Sequence, residues 1–269
     1  MASTIRQSLS ALGGLFLSLA SAGAVDITPL RQVVTPEEPE KTFTVSNSSD
    51  RILTGSVGWI HLSASETGYT QTPPEVRSAL SAAPWLIVSP ASFSLPPGSR
   101  REIQISLKPG TTPPDGERRS HLMIETAAER TPMHKASNTG LPVDIGVGVS
   151  VPVILRGLGE ADARITDVKL VRDRNGDLVA EATITPRGTH STYGRVTAQF
   201  TPKGKNAKPV VMAELANVAG YPDASKRRVK LSLNTKTLGK GSLLVRYEGV
   251  EEYAGQIFAE RSFDIQSPK

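Results

Sequence analysis

One stretch constrains this chain more than any other: LPVDIGVGVSVPVILR at 141–156, which we call the comb. In an extended chain, alternate side chains point to the same face. The alternation therefore predicts one long strand with an apolar face and an almost bare opposite face. Such a strand exceeds the usual length of about five or six residues. Its apolar positions are Val143, Ile145, Val147, Val149, Val151, Val153 and Leu155.

Two prolines, Pro142 and Pro152, lie in the comb. Proline has no backbone N–H to donate, so it is disfavoured in a central strand and indicates a position near a sheet edge. Two interpretations follow. In the first, the comb is the last strand of a domain and packs inward. In the second, part of it faces outward and serves as a template for a strand of another chain.

Short strand-like runs recur along the rest of the chain. Before the comb they are separated by turn clusters such as SNSSD, LPPGS and TTPPDG, and after RGLGEAD (156–162) seven more follow in 163–266. Only PPEVRSALSAAPW (73–85) favours a helix. This pattern predicts an all-β protein of two immunoglobulin-like β-sandwich domains, 25–157 and 158–269, which divide near 157–162.

The first 24 residues have the pattern of a secretory signal peptide. Arg6 precedes the apolar run ALGGLFLSLASA (11–22), and Ala22-Gly23-Ala24 offers a small-residue cleavage site. No other run approaches the ~18 apolar residues that span a bilayer, so we expect no transmembrane segment in the mature chain. The absence of cysteine excludes disulfides and thiolate chemistry.

The motifs that could carry chemistry are weak, and we expect no enzyme activity, no cofactor and no metal. The four histidines lack metal-ligand spacing. DRNGDL (173–178) starts like a calcium loop but lacks its later ligands; Asn175-Gly176 instead predicts a two-residue β-hairpin turn. All of the net charge of +5 falls in 158–269, in scattered patches that indicate a solvated face, so no nucleic-acid partner is expected.

Residues 25–157 resemble the N-terminal domain of the PapD-like periplasmic chaperones of pilus (fimbrial) assembly. AVDITPLRQVVTP (24–36) is similar to the family's opening strand, and WLIVSPASFSLPPGSRREIQIS (85–106) to its apolar segment, turn and basic strand. DGERRSHLMIE (115–125) lies where the family has Arg-Glu-Ser, and the comb matches its alternating final strand. In the apolar segment of 85–106, Ser89-Pro90 is a candidate for a cis peptide bond.

The resemblance implies a function, partners and a site. The chain would assist pilus or surface-fibre subunits in the periplasm by donor-strand complementation, with an outer-membrane usher as a possible second partner. Val143, Ile145, Val147 and Val149 would enter the client, and Arg31 would bind the client's terminal carboxylate from the cleft between the domains, near 143–149. The chain departs from the family where the anchoring lysine falls on Pro152, and around 61–84, which is longer than expected.

Two other classes of protein stay open. A structural or adhesive envelope protein would use two immunoglobulin-like domains with the comb as ordinary core. A carbohydrate-binding module would need a solvent-facing aromatic row, but aromatic residues make up only 5% of the chain, and both tryptophans, Trp59 and Trp85, lie in apolar runs.

Overall fold

The computed structural model describes residues 25–128 and 147–266, which form four main sheets in two sandwiches. The strands before residue 157 are β1 Val25–Thr28, β2 Gln32–Val34, β3 Glu40–Asn47, β4 Leu53–Ile60, β5 Leu62–Ala64, β6 Tyr69–Gln71, β7 Leu86–Ser89, β8 Ser92–Leu95, β9 Arg100–Leu107, β10 Glu117–Ala128 and β11 Val147–Arg156. The later strands are β12 Ala163–Arg172, β13 Leu178–Pro186, β14 Thr192–Pro202, β15 Val210–Gly220, β16 Arg227–Ser232, β17 Gly241–Gly249 and β18 Ile257–Ile265.

The first sandwich pairs a four-stranded sheet, β1-β3-β9-β7, with a five-stranded sheet, β2-β11-β10-β4-β8. Strand β3 shows why it forms: Thr42, Thr44 and Ser46 alternate with the buried Phe43 and Val45, and alternation places one face of a strand in the core. The two inner faces share one core, to which both sheets contribute Phe43, Val45, Ile103, Ile105, Leu122, Ile124, Val151 and Val153.

The second sandwich pairs a three-stranded sheet, β12-β13-β16, with a four-stranded sheet, β15-β14-β17-β18. It contains the seven strands that the sequence predicts, and its core includes Ala180, Ile184, Val196, Leu231, Val245 and Tyr247. The predicted all-β architecture of two immunoglobulin-like sandwiches is therefore confirmed. Among the described residues, none of the helices has the length and apolar character needed to cross a membrane.

Several local predictions are also confirmed. The helix expected in 73–85 is the short α1, Pro74–Leu80, followed by a 3₁₀ turn at Ala83–Trp85. Ser89-Pro90 is cis, and so is Thr28-Pro29.

The hairpin at DRNGDL joins β12 to β13, but its loop has five residues, 173–177, and not two. The reason is that the Asp173 carboxylate accepts hydrogen bonds from the backbone N–H groups of Asn175 and Asp177, at 2.8 and 2.9 Å. These bonds stabilise a wider Asx-type turn, and Gly176 completes it with φ of 81°.

Candidate functional site: the comb edge and the Arg31 cluster

The described part of the comb is paired with a neighbouring strand along one side, and most of its other side has no strand partner among the described residues. Its strand β11 pairs with β10 along its whole length, from Val147 to Arg156. On the other side, β2 runs parallel to it and pairs only with Val153–Leu155. In the part of the chain that the structure describes, residues 147–152 therefore have no strand partner on that side. A free strand edge of this kind is a template for a strand of another chain.

The apolar face of the comb passes from the core to the surface along the strand. Val153 is fully buried, Val149 packs against the core from a partly buried position, and Val147 is 39% exposed. Val143 and Ile145 lie outside the described residues. The inward interpretation thus holds for the end of the comb nearest the second sandwich, and Val147 marks where the apolar face leaves the core.

Arg31 lies between β1 and β2, where the chain changes from one sheet of the first sandwich to the other. Gln32 pairs with Val153, so Arg31 comes next to Pro152 at the start of this parallel register. It contacts the second sandwich, and it lies beside residue 152 and not beside 147–149. Arg31 is thus adjacent to Pro152.

The Arg31 guanidinium is buried, with the residue only 3% exposed, and it contacts three side chains of the second sandwich. Two hydrogen bonds of 2.9 Å join it to both carboxylate oxygens of Glu252, and a third of 3.1 Å joins it to Glu251. The ring of Tyr193 stacks 4.1 Å from its central carbon. Burial by itself would lower the pKa of Arg31, but the hydrogen bond and charge of Glu252 raise it above its ordinary value. Arg31 is therefore permanently cationic.

Arg31, Glu251, Glu252 and Tyr193 form what we call the Arg31 cluster. Arg156, at the end of the comb, also contacts this cluster. Its Nη1 donates to Glu252 at 2.9 Å, its Nε donates to Glu117 at 3.1 Å, and its Nη2 donates to the carbonyl of Ser191 at 3.1 Å. Burial opposes ionisation of Glu252, yet the hydrogen bond from Arg31 and the positive charges of Arg31 and Arg156 lower its pKa. Glu252 is thus a carboxylate shared by two arginines.

The acidic residues of the cluster are held by an unusual turn. Glu251–Tyr253 form a 3₁₀ turn between β17 and β18, and Glu251 has a φ of 53°. A residue with a Cβ rarely adopts this left-handed conformation, which costs on the order of 1–2 kcal/mol. The turn therefore holds Glu251 in a strained backbone conformation, and in this conformation the carboxylates of Glu251 and Glu252 both contact Arg31.

A second contact between the sandwiches comes from the insertion at 61–84, where β5 and β6 form a hairpin. Asp223 of the second sandwich accepts two hydrogen bonds from Arg119, of 3.0 and 2.8 Å, and one of 2.7 Å from the backbone N–H of Ala64. The hydroxyls of Tyr69 and Tyr221 are 3.1 Å apart. The inserted hairpin therefore clamps one sandwich to the other.

His121 is a buried titratable group that pairs with Pro152 in the register of β10 and β11. It is 1% exposed, neither ring nitrogen has a hydrogen-bond partner, and the Tyr69 ring meets it edge-on at 4.7 Å. Burial, aided by the positive charge of Arg119, lowers the pKa of His121 to about 3. The imidazole is therefore neutral in the folded protein at every pH above about 4.

We expect acid to destabilise the protein through His121. Unfolded histidine has a pKa near 6.5, so the unfolded chain binds a proton that the folded chain excludes, and stability falls as the pH drops from about 6.5 toward 3. Between pH 7 and pH 5 this amounts to about 2 kcal/mol. His121→Phe keeps a ring against Tyr69, and urea unfolding at both pH values should show that the variant loses about 2 kcal/mol less than wild type. Equal losses would contradict a neutral buried imidazole.

The structure includes no cluster of three or more histidine and acidic side chains able to hold a metal ion, within the residues it describes. The chemical groups at the site are instead arginines, carboxylates, aromatic rings and an open strand edge. Arginines can pair with carboxylates, and an open strand edge can pair with another strand.

No family model and no curated protein matches the chain. The solved structures to which it is similar include the class 5 fimbriae chaperone CfaA, with 13% identity and a TM-score of 0.44, over 90% of this chain and 98% of that one. They also include the E. coli chaperone DraB, with 15% identity and a TM-score of 0.42, over 91% and 97%. A chain from the complex of the Salmonella enterica SafA pilin with the SafB chaperone has 15% identity and a TM-score of 0.44, over 90% and 96%.

Proposed function

We propose that the protein is a periplasmic chaperone-like factor that binds pilus or surface-fibre subunits by donating the comb as a strand. The edge of β11 at 147–152 carries this proposal, because it has no strand partner among the described residues and its apolar face leaves the core at Val147. The function is binding and not catalysis. The resemblance of residues 25–157 to pilus chaperones supports the same class of function.

The mechanism follows from strand addition. A client strand pairs with the backbone of the comb, while Val143, Ile145, Val147 and Val149 fill an apolar groove in the incomplete client. Each side chain that becomes fully buried contributes roughly 1.5–3 kcal/mol, and the ordering of the client and its loss of free motion reduce this total. Pro152 ends the ladder, because it offers no N–H to the client.

Arg31 is proposed to bind the client's terminal carboxylate at the end of that ladder. Its guanidinium already makes a two-pronged contact with the Glu252 carboxylate, which is the geometry that a chain terminus would adopt. With Pro152 in the place of the family's lysine, Arg31 would supply the anchor without a second cation at that position. The leader at 1–24, which lies outside the described residues, would direct the chain to the periplasm.

Two observations favour a second candidate, a structural or adhesive envelope protein. Arg31 is ion-paired within the chain, and the core includes the comb residues Val151, Val153 and Leu155, with Val149 packed against it. A protein in which both features serve only stability would need no client.

Co-purification distinguishes the two candidates. We expect tagged wild-type protein from periplasm to bring down a fibre subunit, and Val147→Asp to lose it without a change in melting temperature, because Val147 is exposed before the client arrives. Ile145→Asp should behave in the same way. Val210→Asp is the matched control, since Val210 is an exposed valine on β15 of the second sandwich. Subunit capture that survives Val147→Asp, or that is lost equally in the control, would favour the structural candidate.

A further inference from the structure

We infer that Glu251 and Glu252 act as an internal substitute for the client's carboxylate, holding Arg31 until a client replaces them. This inference rests on the proposed function, because it assigns a resting state to the same anchor. Both oxygens of Glu252 and one of Glu251 occupy the guanidinium. A peptide terminus presents the same group, a planar carboxylate, so the two compete for one site.

The exposure of the partners determines which of them can move. The Arg31 side chain is almost inaccessible and is held under the Tyr193 ring, whereas the side chain of Glu251 is 52% exposed and that of Glu252 is 30% exposed. A carboxylate arriving from solvent therefore meets Glu251 and Glu252, which we call the acidic pair, before it reaches Arg31. Exchange requires the carboxylates of Glu251 and Glu252 to leave Arg31, while the arginine stays in place.

Glu252 keeps a partner if it leaves Arg31. Its Oε1 atom accepts from Arg31 Nη2 and from Arg156 Nη1, both at 2.9 Å. Release of Arg31 thus leaves the carboxylate paired with Arg156 and not as an isolated charge, which would be costly in a buried position. The second arginine makes the exchange feasible.

The turn that carries the acidic pair is suited to movement. Glu251 is held at a φ of 53° and Gly255 at 89°, so both ends of a five-residue segment have left-handed backbone. Strain of this kind persists where surrounding contacts impose it, and here the contact with Arg31 is one of them. Loss of that contact would release Glu251 toward an ordinary conformation.

The exchange has a consequence for specificity. A small carboxylate ion gains nothing beyond the contact that it displaces, so it does not open the site. A client that also pairs along 147–152 adds the free energy of strand addition and tips the exchange in its favour. The acidic pair therefore restricts the anchor to carboxylates that belong to an incoming strand.

Binding of two peptides tests this inference. The probes are fluorescein-labelled ten-residue peptides of alternating valine and threonine, one ending in a free carboxylate and the other in an amide. We expect the double variant Glu251→Gln/Glu252→Gln to bind the carboxylate peptide about tenfold more tightly than wild type does, because the competing charges are gone. Binding of the amide peptide should be unchanged. Arg31→Ala added to the double variant should abolish the gain.

Two further variants keep the result interpretable. Glu251→Gln alone leaves Glu252 between its two arginines, so it should fold normally and give a smaller gain of the same kind. Glu248→Gln, which breaks the surface pair between Glu248 on β17 and Arg195 on β14, should leave the binding of both peptides unaffected. If both peptides bind and the preference for the carboxylate is the same in wild type and variants, the inference is wrong and the proposed function stands. If neither peptide binds any form, the proposed function fails, and the inference fails with it.

Discussion

Arg156→Ala is expected to lower the free energy of unfolding by about 3–5 kcal/mol. The truncation leaves the carboxylate of Glu117, whose side chain is 3% exposed, buried without its cation. It also removes the hydrogen bonds to Glu252 and to the carbonyl of Ser191, and the contact with the Tyr253 ring. Because the partners of Arg156 lie in both sandwiches, the loss of unfolding free energy should affect the whole protein. Urea denaturation measures it.

The matched control is Arg195→Ala. Arg195 pairs with Glu248 on the exposed face of the second sandwich, at 3.2 Å, with both side chains in partial contact with solvent. A pair of that kind contributes about 0–1 kcal/mol. Equal losses of unfolding free energy in the two alanine variants would show that the buried contacts of Arg156 contribute no more than a surface ion pair. Arg156→Ala/Glu117→Gln should recover part of the lost stability, since the unpaired charge is then gone.

Val153→Asp and Val147→Asp, two identical changes six residues apart on the comb, should differ greatly in their effect on stability. Val153 is fully buried between the sheets, so an aspartate there places an unpaired carboxylate in the core. We expect a loss of more than about 4 kcal/mol, enough to unfold a domain of ordinary stability. Val147→Asp should change stability by less than about 1 kcal/mol, because that side chain already reaches solvent.

Thermal denaturation by circular dichroism is the measurement for this pair. Val151→Asp should resemble Val153→Asp, because Val151 belongs to the same core. A large loss of stability in Val147→Asp would mean that this end of the comb is core as well. In that case the free protein would have no exposed apolar row to donate, and the chaperone proposal would lose its main support.

The sequence predicts those parts of the molecule that depend on local pattern. The alternation of the comb places Val151, Val153 and Leu155 on one buried face, and Pro152 correctly indicates a strand near a sheet edge. The turn clusters and the restart after 162 predict two sandwiches. The resemblance of the apolar segment makes Ser89-Pro90 a candidate for a cis bond, and the bond is cis. Each of these features is determined by residues close together in the chain.

The site contacts could not be predicted in this way. Arg31 and Glu252 are 221 positions apart, and two adjacent glutamates between strands have no local pattern that distinguishes a buried ion pair from a solvated turn. Asp223 similarly lies in the turn-like stretch YPDAS. The inserted hairpin has strands of only three residues, too short for a period to show. Tertiary placement alone brings these side chains together, so the resemblance implies a role for Arg31 but the sequence does not predict its partners.

The inserted hairpin has a mechanical consequence. Two domains joined by a single linker can rotate about it. Here, besides the linker at 157–162, the sandwiches are joined by the contacts of Arg31 and Arg156 with Glu252 and by those of Arg119 with Asp223. With three separate attachments, swivelling requires several charged contacts to break together. The angle between the two sandwiches is therefore set by contacts within the chain itself.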